Sequence, residues 1–496
     1  ITSICKPEGE NEFWIEYFDS TTNSPYTLKL SVSDYSEVKK DIPLTDHTSL
    51  THTKLDIKNK YDELSIVNKT SDLYDVKPST TSPYAEGSLK QQVKTDTLNQ
   101  INYFRWLAGL NSVTINNNYM SYSQKGATVL AANNLLTHNP AQPEGMDDTF
   151  YSQGYDATSA GIGTSANISQ GSLLAYSIQG YIDDTSNYEP NVGHRLSLLD
   201  KNAESVSFGY ANSYGVVNVF TNNSVTNPDY FHAWPSPGNF PVESVDSYAM
   251  WSVEMPDEEY YISGSKYVVI KANGKEYSSG TESSPVKLYL DRFYNTYYFD
   301  LPQEVRNYLT DGTYNMKDGK TVEIEVHGIA DNYGNTYVLT YPIKFFSLDN
   351  VLTGISLPKT MSITQNTSKK LELTMNPSTA TPDGTIEWNS SNPNIASISA
   401  DGTITAKAIG ETTITAKVDG FTATTTVKVV ETQLGDVNKD TNIDMLDYVL
   451  ILSHVRETKL LSGETLELAD VNTDGIVDML DYVLVLSHVR ETKPLY

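Results

Sequence analysis

A chain of 496 residues is too long for one hydrophobic core, and its length predicts about three or four domains. Acidic residues outnumber basic residues by 62 to 35, giving a net charge of −27, which argues against nucleic acid or an anionic membrane as a partner. The one cysteine, Cys5, excludes an internal disulfide, and no apolar run approaches the roughly 18 residues that a transmembrane helix needs. We therefore expect a monomeric chain with several separate cores.

Residues 1–86 contain strand-like, aromatic-rich pieces and a polar linker near residues 78–85, and the sequence predicts no function for them. Because the chain begins with Ile1 and not with methionine, we expect that a signal peptide has been removed. Clustered aromatic side chains suggest carbohydrate binding as one alternative function, against the simpler interpretation that they fill cores. These side chains are Phe13, Trp14, Tyr17, Phe18, Tyr294, Tyr297 and Tyr298.

Residues 87–234 change to helical periodicity. Apolar residues between Leu98 and Leu107 and between Met120 and Leu135 predict two helices, whereas the runs 205–211 and 216–221 are strand-like. Helices that flank a sheet of this size predict a compact α+β domain.

Short motifs in this region carry a resemblance to a known family. They are Leu98-Asn-Gln-Ile-Asn-Tyr-Phe-Arg, Gly109-Leu110, Thr137-His138-Asn139-Pro140, Gly193-His194-Arg195 and Ser207-Phe208-Gly209-Tyr210. In this order they resemble the CAP superfamily, also called SCP-like extracellular domains. The resemblance implies an αβα sandwich with a central cleft, where two histidines and two glutamates meet and sometimes hold zinc. The histidines, which are the candidate catalytic residues, are His138 and His194.

The two family glutamates have no clear counterpart in this chain. The first aligns with Ala166, and near the second position stand only Gln179, Asp183 and Asp184. A catalytic zinc needs three protein ligands and a water, and acid–base catalysis needs a carboxylate near the histidine. The sequence therefore leaves open whether the domain is an enzyme. If it is one, we expect a hydrolase. The alternative for each histidine is a structural role, and Arg195 is expected to pair with a carboxylate.

Residues 235–349 alternate in hydrophobicity and predict a second β-sandwich. The runs 267–270 and 322–328 are period-two strands, and Asp331 begins a turn sequence. We interpret His327 as a surface or packing residue.

Residues 350–432 read as short strands separated by turn signals, with a hairpin turn at Asp401-Gly402 and with Trp388 and Ile395 in the core. The stretch from Trp388 to Ala406 resembles a bacterial Ig-like group 2 domain. The resemblance implies a β-sandwich, which we interpret as a spacer.

Residues 433–496 contain a tandem repeat, 436–461 against 470–495, and each copy opens with oxygen-bearing side chains at loop positions 1, 3, 5, 9 and 12. Calcium prefers this spacing when position 7 adds a backbone carbonyl, so we predict two calcium ions. The predicted ligands are Asp436, Asn438, Asp440, Asn442, Asp444 and Asp447, with Asp470, Asn472, Asp474, Ile476, Asp478 and Asp481 in the second copy. Thr441 replaces the glycine that stands at Gly475, so the first site is expected to be weaker.

Each loop is followed by a run with helical periodicity, and the helix that normally precedes an EF-hand loop is missing. This arrangement resembles a type I dockerin, the module that attaches secreted proteins to cohesin domains of cellulosome-type or amylosome-type scaffoldins. The resemblance implies cohesin contacts at Met445, Leu446, Leu452, Ser453 and Glu457, and at Met479, Leu480, Leu486, Ser487 and Glu491. Because the two sets are identical, we predict two binding orientations. The alternative for the Met-Leu pairs is packing between the two helices.

Together these patterns predict a secreted, multidomain CAP protein that a scaffoldin holds at the cell surface, within a polysaccharide-degrading complex. Its cleft is expected to bind a glycan, a peptide or a lipid. The alternatives are a metal-dependent hydrolase of polysaccharide or peptide, with zinc in the cleft, and a carbohydrate-binding accessory protein.

Overall fold

The computed structural model describes backbone strands at 3–5, 12–19, 24–31 and 40–41, and all atoms for most of the remaining chain. The fully described ranges are 52–64, 73–171, 173–185, 191–222, 231–256, 260–280, 284–291, 295–312 and 315–495. The chain forms two compact units, Ile1–Phe346 and Ser347–Tyr496. Among the described helices, none is long and apolar enough to cross a membrane.

The first unit begins with a small antiparallel sheet, in the order β1-β2-β3. The first elements are β1 (Ser3–Cys5), β2 (Glu12–Asp19), β3 (Ser24–Ser31), β4 (Lys40–Asp41), α1 (Lys54–Asp62), β5 (Tyr74–Val76) and β6 (Ser88–Leu89). Helix α1 starts where Thr53 and Asp56 cap each other's backbone N–H groups, a capping box that satisfies two donors left free by the first turn. The side chains of Phe13, Trp14, Tyr17 and Phe18, and the whole of Tyr294, lie outside the described residues.

The next elements form three layers, with helices on both faces of a sheet ordered β7-β9-β10-β8. They are α2 (Gln91–Leu107), β7 (Thr114–Ile115), α3 (Met120–Asn133), α4 (Asp148–Thr158), β8 (Ser165–Gln170), α5 (Leu174–Asp183), α6 (Gly193–Leu198), β9 (Ala203–Ala211) and β10 (Tyr214–Thr221). Ile168 of β8 packs with α3 and α4, whereas its neighbour Asn167 bonds to Ser197 of α6. The predicted αβα architecture is therefore confirmed.

Helix α3 lies unusually close to the sheet. A Cβ built on Gly209 would come within 2.3 Å of the Ser123 carbonyl oxygen, so only glycine permits this approach. Ser123 also bonds to Ser207 and Asn218, which satisfies three buried polar side chains in the gap. The helix was expected to reach Leu135 but ends at Asn133, because Asn134 adopts a left-handed conformation that stops it.

The rest of the first unit is a two-sheet sandwich with the orders β11-β13-β17-β16 and β12-β19-β18-β14-β15. Its elements are β11 (His232–Trp234), β12 (Gly238–Pro241), β13 (Trp251–Glu254), β14 (Tyr260–Ala272), β15 (Lys275–Ser278), β16 (Lys287–Asp291), β17 (Thr296–Asp300), α7 (Gln303–Leu309), β18 (Thr321–Asp331) and β19 (Thr336–Phe346). Trp251 contacts Phe299 in its own sheet and Phe345 in the other, as expected for a core between two sheets.

The second unit opens with strands β20 (Gly354–Ser356), β21 (Thr360–Thr364), β22 (Ser368–Lys370), β23 (Thr374–Asn376), β24 (Glu387–Ser390), β25 (Ala396–Ile398), β26 (Thr403–Ala406), β27 (Gly410–Val418) and β28 (Phe421–Val430). Their main sheets are β21-β28-β27-β24 and β22-β26-β25. Ile404, Ile414 and Val427 fill the core, and Trp388 and Ile395 pack against it while partly exposed. The predicted Ig-like sandwich is confirmed.

Three helices follow: α8 (Met445–Val455), α9 (Glu464–Ala469) and α10 (Met479–Val489). Helices α8 and α10 follow the two acidic loops, as predicted, and share a small core with Ile451 and Val485 fully buried. The short α9 between the repeats was not predicted. Its Leu468 and Ala469 are buried, so it closes this core.

Candidate functional site

His194 stands at the start of α6, where its ring and backbone are held by one carboxylate. Its Nδ1 lies 2.7 Å from Asp184 Oδ1, and its backbone N–H donates to the other oxygen of Asp184 at 3.0 Å. The Asp184 side chain is fully buried, whereas that of His194 is 22% exposed. A carboxylate at Nδ1 fixes the tautomer that places the proton there, and it leaves Nε2 as the acceptor. His194 is therefore an oriented imidazole.

The residues beside this pair are buried against the sandwich. Burial lowers the pKa of Arg195 to about 10, with Asp184 and Asp183 opposing the shift. The guanidinium donates to the carbonyl oxygens of Ile182 and Asp183 and to the Ser252 hydroxyl, at 2.6 to 3.1 Å. These hydrogen bonds go to neutral oxygens, whereas Asp184 and Asp183, the carboxylates expected as partners, act on Arg195 through their charge. Arg195 thus joins the two parts of the unit.

Asp183 also lies at this junction. Its two oxygens accept hydrogen bonds from Gln179 at 2.7 Å and from the backbone N–H of Asp246 at 2.9 Å. Burial nonetheless raises the pKa of Asp183 to about 6, because the ionised form loses its hydration. Of the two carboxylates considered near the second glutamate position, Asp184 thus serves His194 and Asp183 serves the interface.

The sandwich covers the α2–α5 side of the three-layer part. The Tyr103 hydroxyl lies 2.9 Å from that of Ser244, Gln179 donates to the Ser244 carbonyl at 3.2 Å, and Phe104 packs edge-on to Trp234. Tyr103, Phe104 and Trp234 are each at most 1% exposed. The sequence did not predict this interface.

His138 occupies the loop after α3. Its Nδ1 lies 2.7 Å from the carbonyl oxygen of Thr158, the last residue of α4. A bond to a backbone carbonyl is the structural alternative considered for this residue, and it also fixes the tautomer that leaves Nε2 as the acceptor. The structure thus orients both histidines by different partners.

The edge strand β8 carries no carboxylate. Ala166 pairs with Asn218 of β10 at the position where the family has glutamate. Within the described ranges, no three side chains of His, Cys, Asp or Glu lie close enough together to hold a metal ion. Two histidines fall short of the three ligands of a catalytic zinc, so these residues do not fit that metal.

In the first acidic loop, backbone N–H groups donate to two carboxylates of the same loop. Asp436 accepts from the backbone N–H groups of Asp440 and Thr441, both at 3.0 Å. Asp447 accepts from those of Asn438 and Asp444, both at 2.9 Å. Burial raises the pKa of Asp436 and of Asp447, because negative charge is gathered where water is partly excluded.

The second loop repeats these bonds through Asp470 and Asp481, at 2.7 to 3.2 Å. Asparagine side chains and backbone carbonyls add further oxygens to the aspartates of each loop. The donor set is all oxygen in both loops, and its carboxylates bring together negative charge that a divalent cation would offset. These residues therefore fit calcium.

The predicted cohesin contacts lie largely on the surface. Met445, Leu446, Met479 and Leu480 are 51 to 55% exposed, so they do not pack between the helices. Leu452, Ser453, Leu486 and Ser487 are half-buried, and Glu457 and Glu491 are exposed. Val449 and Val483, which are 46% and 45% exposed, were not among the predicted contacts. Their spacing of four residues from Met445 and Met479 was the available signal.

Two other predicted candidates have structural contacts. Tyr297 is fully buried, and its hydroxyl donates to the carbonyl oxygen of Gly328 at 2.7 Å, so it is a core residue and not a sugar contact. Tyr298 is partly buried and stacks on Tyr289, with ring centroids 5.4 Å apart. His327 stacks on Tyr267 at 4.0 Å, in agreement with a packing role.

Family models match three segments of the chain. They are the cysteine-rich secretory protein family, or CAP, at 98–223, the bacterial Ig-like domain of group 2 at 352–429, and the dockerin type I domain at 434–490. No curated protein sequence matches the chain.

Similar solved structures include an extracellular protein containing a SCP domain from Bacillus anthracis strain Ames. It is 15% identical, with 45% of this chain and 89% of that chain covered and a TM-score of 0.20. Domains 4 and 5 of the S-layer protein SbsC are 17% identical, with 33% and 97% covered and a TM-score of 0.16. An I-band fragment of titin is 9% identical, with 54% and 88% covered and a TM-score of 0.17.

Proposed function

The chain carries a CAP domain, a group 2 bacterial Ig-like domain and a type I dockerin in that order, and from this premise we propose a secreted protein anchored by calcium-dependent cohesin binding. The cohesin belongs to a scaffoldin of a polysaccharide-degrading complex at the cell surface. We assign the domains to residues 1–86, 87–234, 235–349, 350–432 and 433–496, except that β11 (His232–Trp234) pairs with β13 and so belongs to the sandwich.

The two exposed apolar faces are the observation that carries the anchoring proposal. Met445 and Leu446 lie in one face, at the start of α8, and Met479 and Leu480 lie in the other, at the start of α10. Each pair directly follows an acidic loop. Exposed apolar patches mark sites where a partner binds, and identical patches permit two orientations of the same partner. The twelve assigned positions would hold two calcium ions, whose charge would offset that of the loop carboxylates.

The anchoring is tested by replacing the first ligand of both loops, Asp436→Ala with Asp470→Ala. The full chain is titrated against a panel of purified type I cohesin domains, with calcium and with a chelator. We expect the wild-type chain to bind in calcium only, and the double variant to bind at least about a hundredfold more weakly, since a lost charged ligand removes several kcal/mol.

Glu467→Ala, at an exposed position of α9 between the loops, is the matched control and should bind as the wild type does. Equal affinity of the double variant and the wild-type chain would contradict the ligand assignment.

For the CAP cleft we propose ligand binding without hydrolysis. Ala166 stands where the CAP family has its first glutamate, so one carboxylate is missing, and His138 bonds to a backbone carbonyl. A metal ion that activates a water would therefore lack protein ligands here. The histidines, with Nε2 as acceptor, can instead receive hydrogen bonds from a hydroxyl or amide of a glycan, peptide or lipid headgroup.

Hydrolysis is the second candidate function, and the pair of His194 and Asp184 favours it. A buried carboxylate 2.7 Å from Nδ1 orients the imidazole as general bases are oriented. Zinc in the cleft would need a third ligand, which the described residues do not place beside the two histidines.

Zinc titration of the full chain separates the two functions, with calcium in excess to fill the dockerin loops. We compare the wild type with the double variant His138→Ala/His194→Ala by calorimetry. Ligand binding without catalysis predicts no micromolar zinc site that depends on the histidines. A site that disappears in the double variant would instead support the hydrolase and justify a screen of polysaccharide and peptide substrates.

A further inference from the structure

The sandwich at 235–349 contains a cavity that neither the cleft nor the dockerin accounts for. Its volume is about 320 Å³, in the range of small-ligand sites, and all its lining residues belong to β14, β18 and β19. The side chains that matter for binding are Ser263, Ser265, Tyr267, His327, Thr336 and Tyr337.

Two irregularities in the strand pairing create the cavity. Ile262 pairs with Ile329 and Tyr267 with His327, so four residues of β14 stand opposite one residue of β18. On the other side of β18 the register shifts again between Val326 and Ile329. Bulges of this kind bend a strand and re-aim its side chains, and they are frequent at binding sites.

The bulged backbone is held in place by Gly328, which has a φ of +82°. A Cβ at this position would come within 2.8 Å of the carbonyl oxygens of Ser263 and Ser265. From the core side, the Tyr297 hydroxyl donates to the Gly328 carbonyl at 2.7 Å and lies 3.0 Å from that of His327. The cavity is therefore built on a fixed framework.

An aromatic surface forms part of the lining. Tyr267 and His327 stack with centroids 4.0 Å apart and an interplanar angle of 10°. Tyr337 is fixed by its hydroxyl, which donates to Asp331 at 2.8 Å, and by an edge contact with Tyr260. Stacked rings present a flat, apolar face that a C–H-bearing ring can cover.

The polar part of the lining has no permanently charged side chain. Its side chains are hydroxyls and one imidazole, and none of the described lining residues carries a carboxylate, an ammonium or a guanidinium group. Hydroxyls both donate and accept hydrogen bonds, so they match a ligand that is itself rich in hydroxyls. The Lys266 ammonium of the same bulge donates to the carbonyl oxygen of Gly264 at 3.0 Å, so the lining side chains themselves offer a strongly anionic ligand no positive charge.

We propose that this cavity binds a neutral sugar ring of a glycan chain. Such a ring has C–H faces that cover aromatic side chains and a rim of hydroxyls that both donate and accept. The cavity is separate from the predicted cleft residues and from the cohesin contacts. Sugar binding in the cavity can therefore be tested independently of both proposed functions.

The test uses the full chain in calcium and four neutral hexasaccharides built from glucose in β-1,4 or α-1,4 linkage, from xylose or from mannose. Affinities are measured by calorimetry for the wild type and for Tyr267→Ala, which removes the stacking face. We expect at least one hexasaccharide to bind, and Tyr267→Ala to weaken it by about tenfold or more.

Ser265→Trp provides a second variant, because Ser265 is exposed and a larger side chain there fills the cavity without removing a core contact. It should weaken binding as much as Tyr267→Ala does. Tyr289→Ala, in the stacked tyrosine pair on the other sheet, is the matched control and should leave the affinity unchanged.

Three results would overturn the proposal: no binding of any hexasaccharide by the wild type, binding by both cavity variants with the affinity of the wild type, or stronger binding of a galacturonic acid hexamer than of every neutral sugar. The last would assign the cavity to an acidic ligand.

Discussion

Among single residues, Asp183 shows how tertiary burial changes the chemistry of an ordinary aspartate. The backbone of Asp246 and the side chain of Gln179 satisfy its oxygens, yet burial raises its pKa to about 6 from a usual value of 3.8. Between these two pH values the folded chain binds more protons at this site than the unfolded chain does. Stability from this group is therefore greatest at low pH and decreases as the pH rises through 6.

Asp183→Asn removes this ionisation and should flatten that part of the pH dependence. We expect the variant to gain free energy of unfolding relative to the wild type on going from pH 4 to pH 7, by up to about 3 kcal/mol. Urea unfolding at both pH values measures the difference, with the exposed Asp75→Asn as control. A difference between variant and wild type that stays constant with pH would show that Asp183 is not the group responsible.

At the scale of elements, the two acidic loops differ in one conformationally demanding position. Thr441 has a φ of +79° where Gly475 has +87°, and both N–H groups donate to the first aspartate of their loop. A β-branched residue in this region is strained by about 1 kcal/mol or more, whereas glycine adopts the conformation freely.

Thr441→Gly should therefore strengthen calcium binding by the first loop, by roughly fivefold if about 1 kcal/mol of strain is relieved. Gly475→Thr is the matched reverse variant and should weaken the second loop to a similar degree. Calcium titration of the full chain by calorimetry measures both. If neither affinity moves, the strain at this position does not affect the ion-binding conformation.

At the scale of the whole molecule, the first unit is more than a CAP domain followed by a spacer. Tyr103 and Phe104 of α2 are buried against Ser244 and Trp234, and Arg195 reaches Ser252 across the same interface. Ending the chain near residue 224 would expose these aromatic side chains and the charge of Arg195. Studies of the cleft therefore need a chain that retains the sandwich.

The sequence by itself determined the features whose residues lie close together along the chain. All predicted ligands of a calcium loop fall within twelve positions, so their spacing alone predicted them. The resemblance to the dockerin family added the Met-Leu pairs, and the resemblance of the motifs around His138 and His194 to the CAP superfamily implied the αβα fold. Local periodicity also gave both sandwiches, because alternation reports which face of a strand is buried.

Only the tertiary structure decided the contacts between distant residues. Asp183 and Asp246 are 63 positions apart, and Tyr267 and His327 are 60 apart, so no local pattern connects them. The choice of Asp184 as the partner of His194 depended on how α5 ends and α6 begins. The physical reason is that such pairs are selected by packing and by the need to satisfy buried polar groups, which act through space and leave no periodic trace in the sequence.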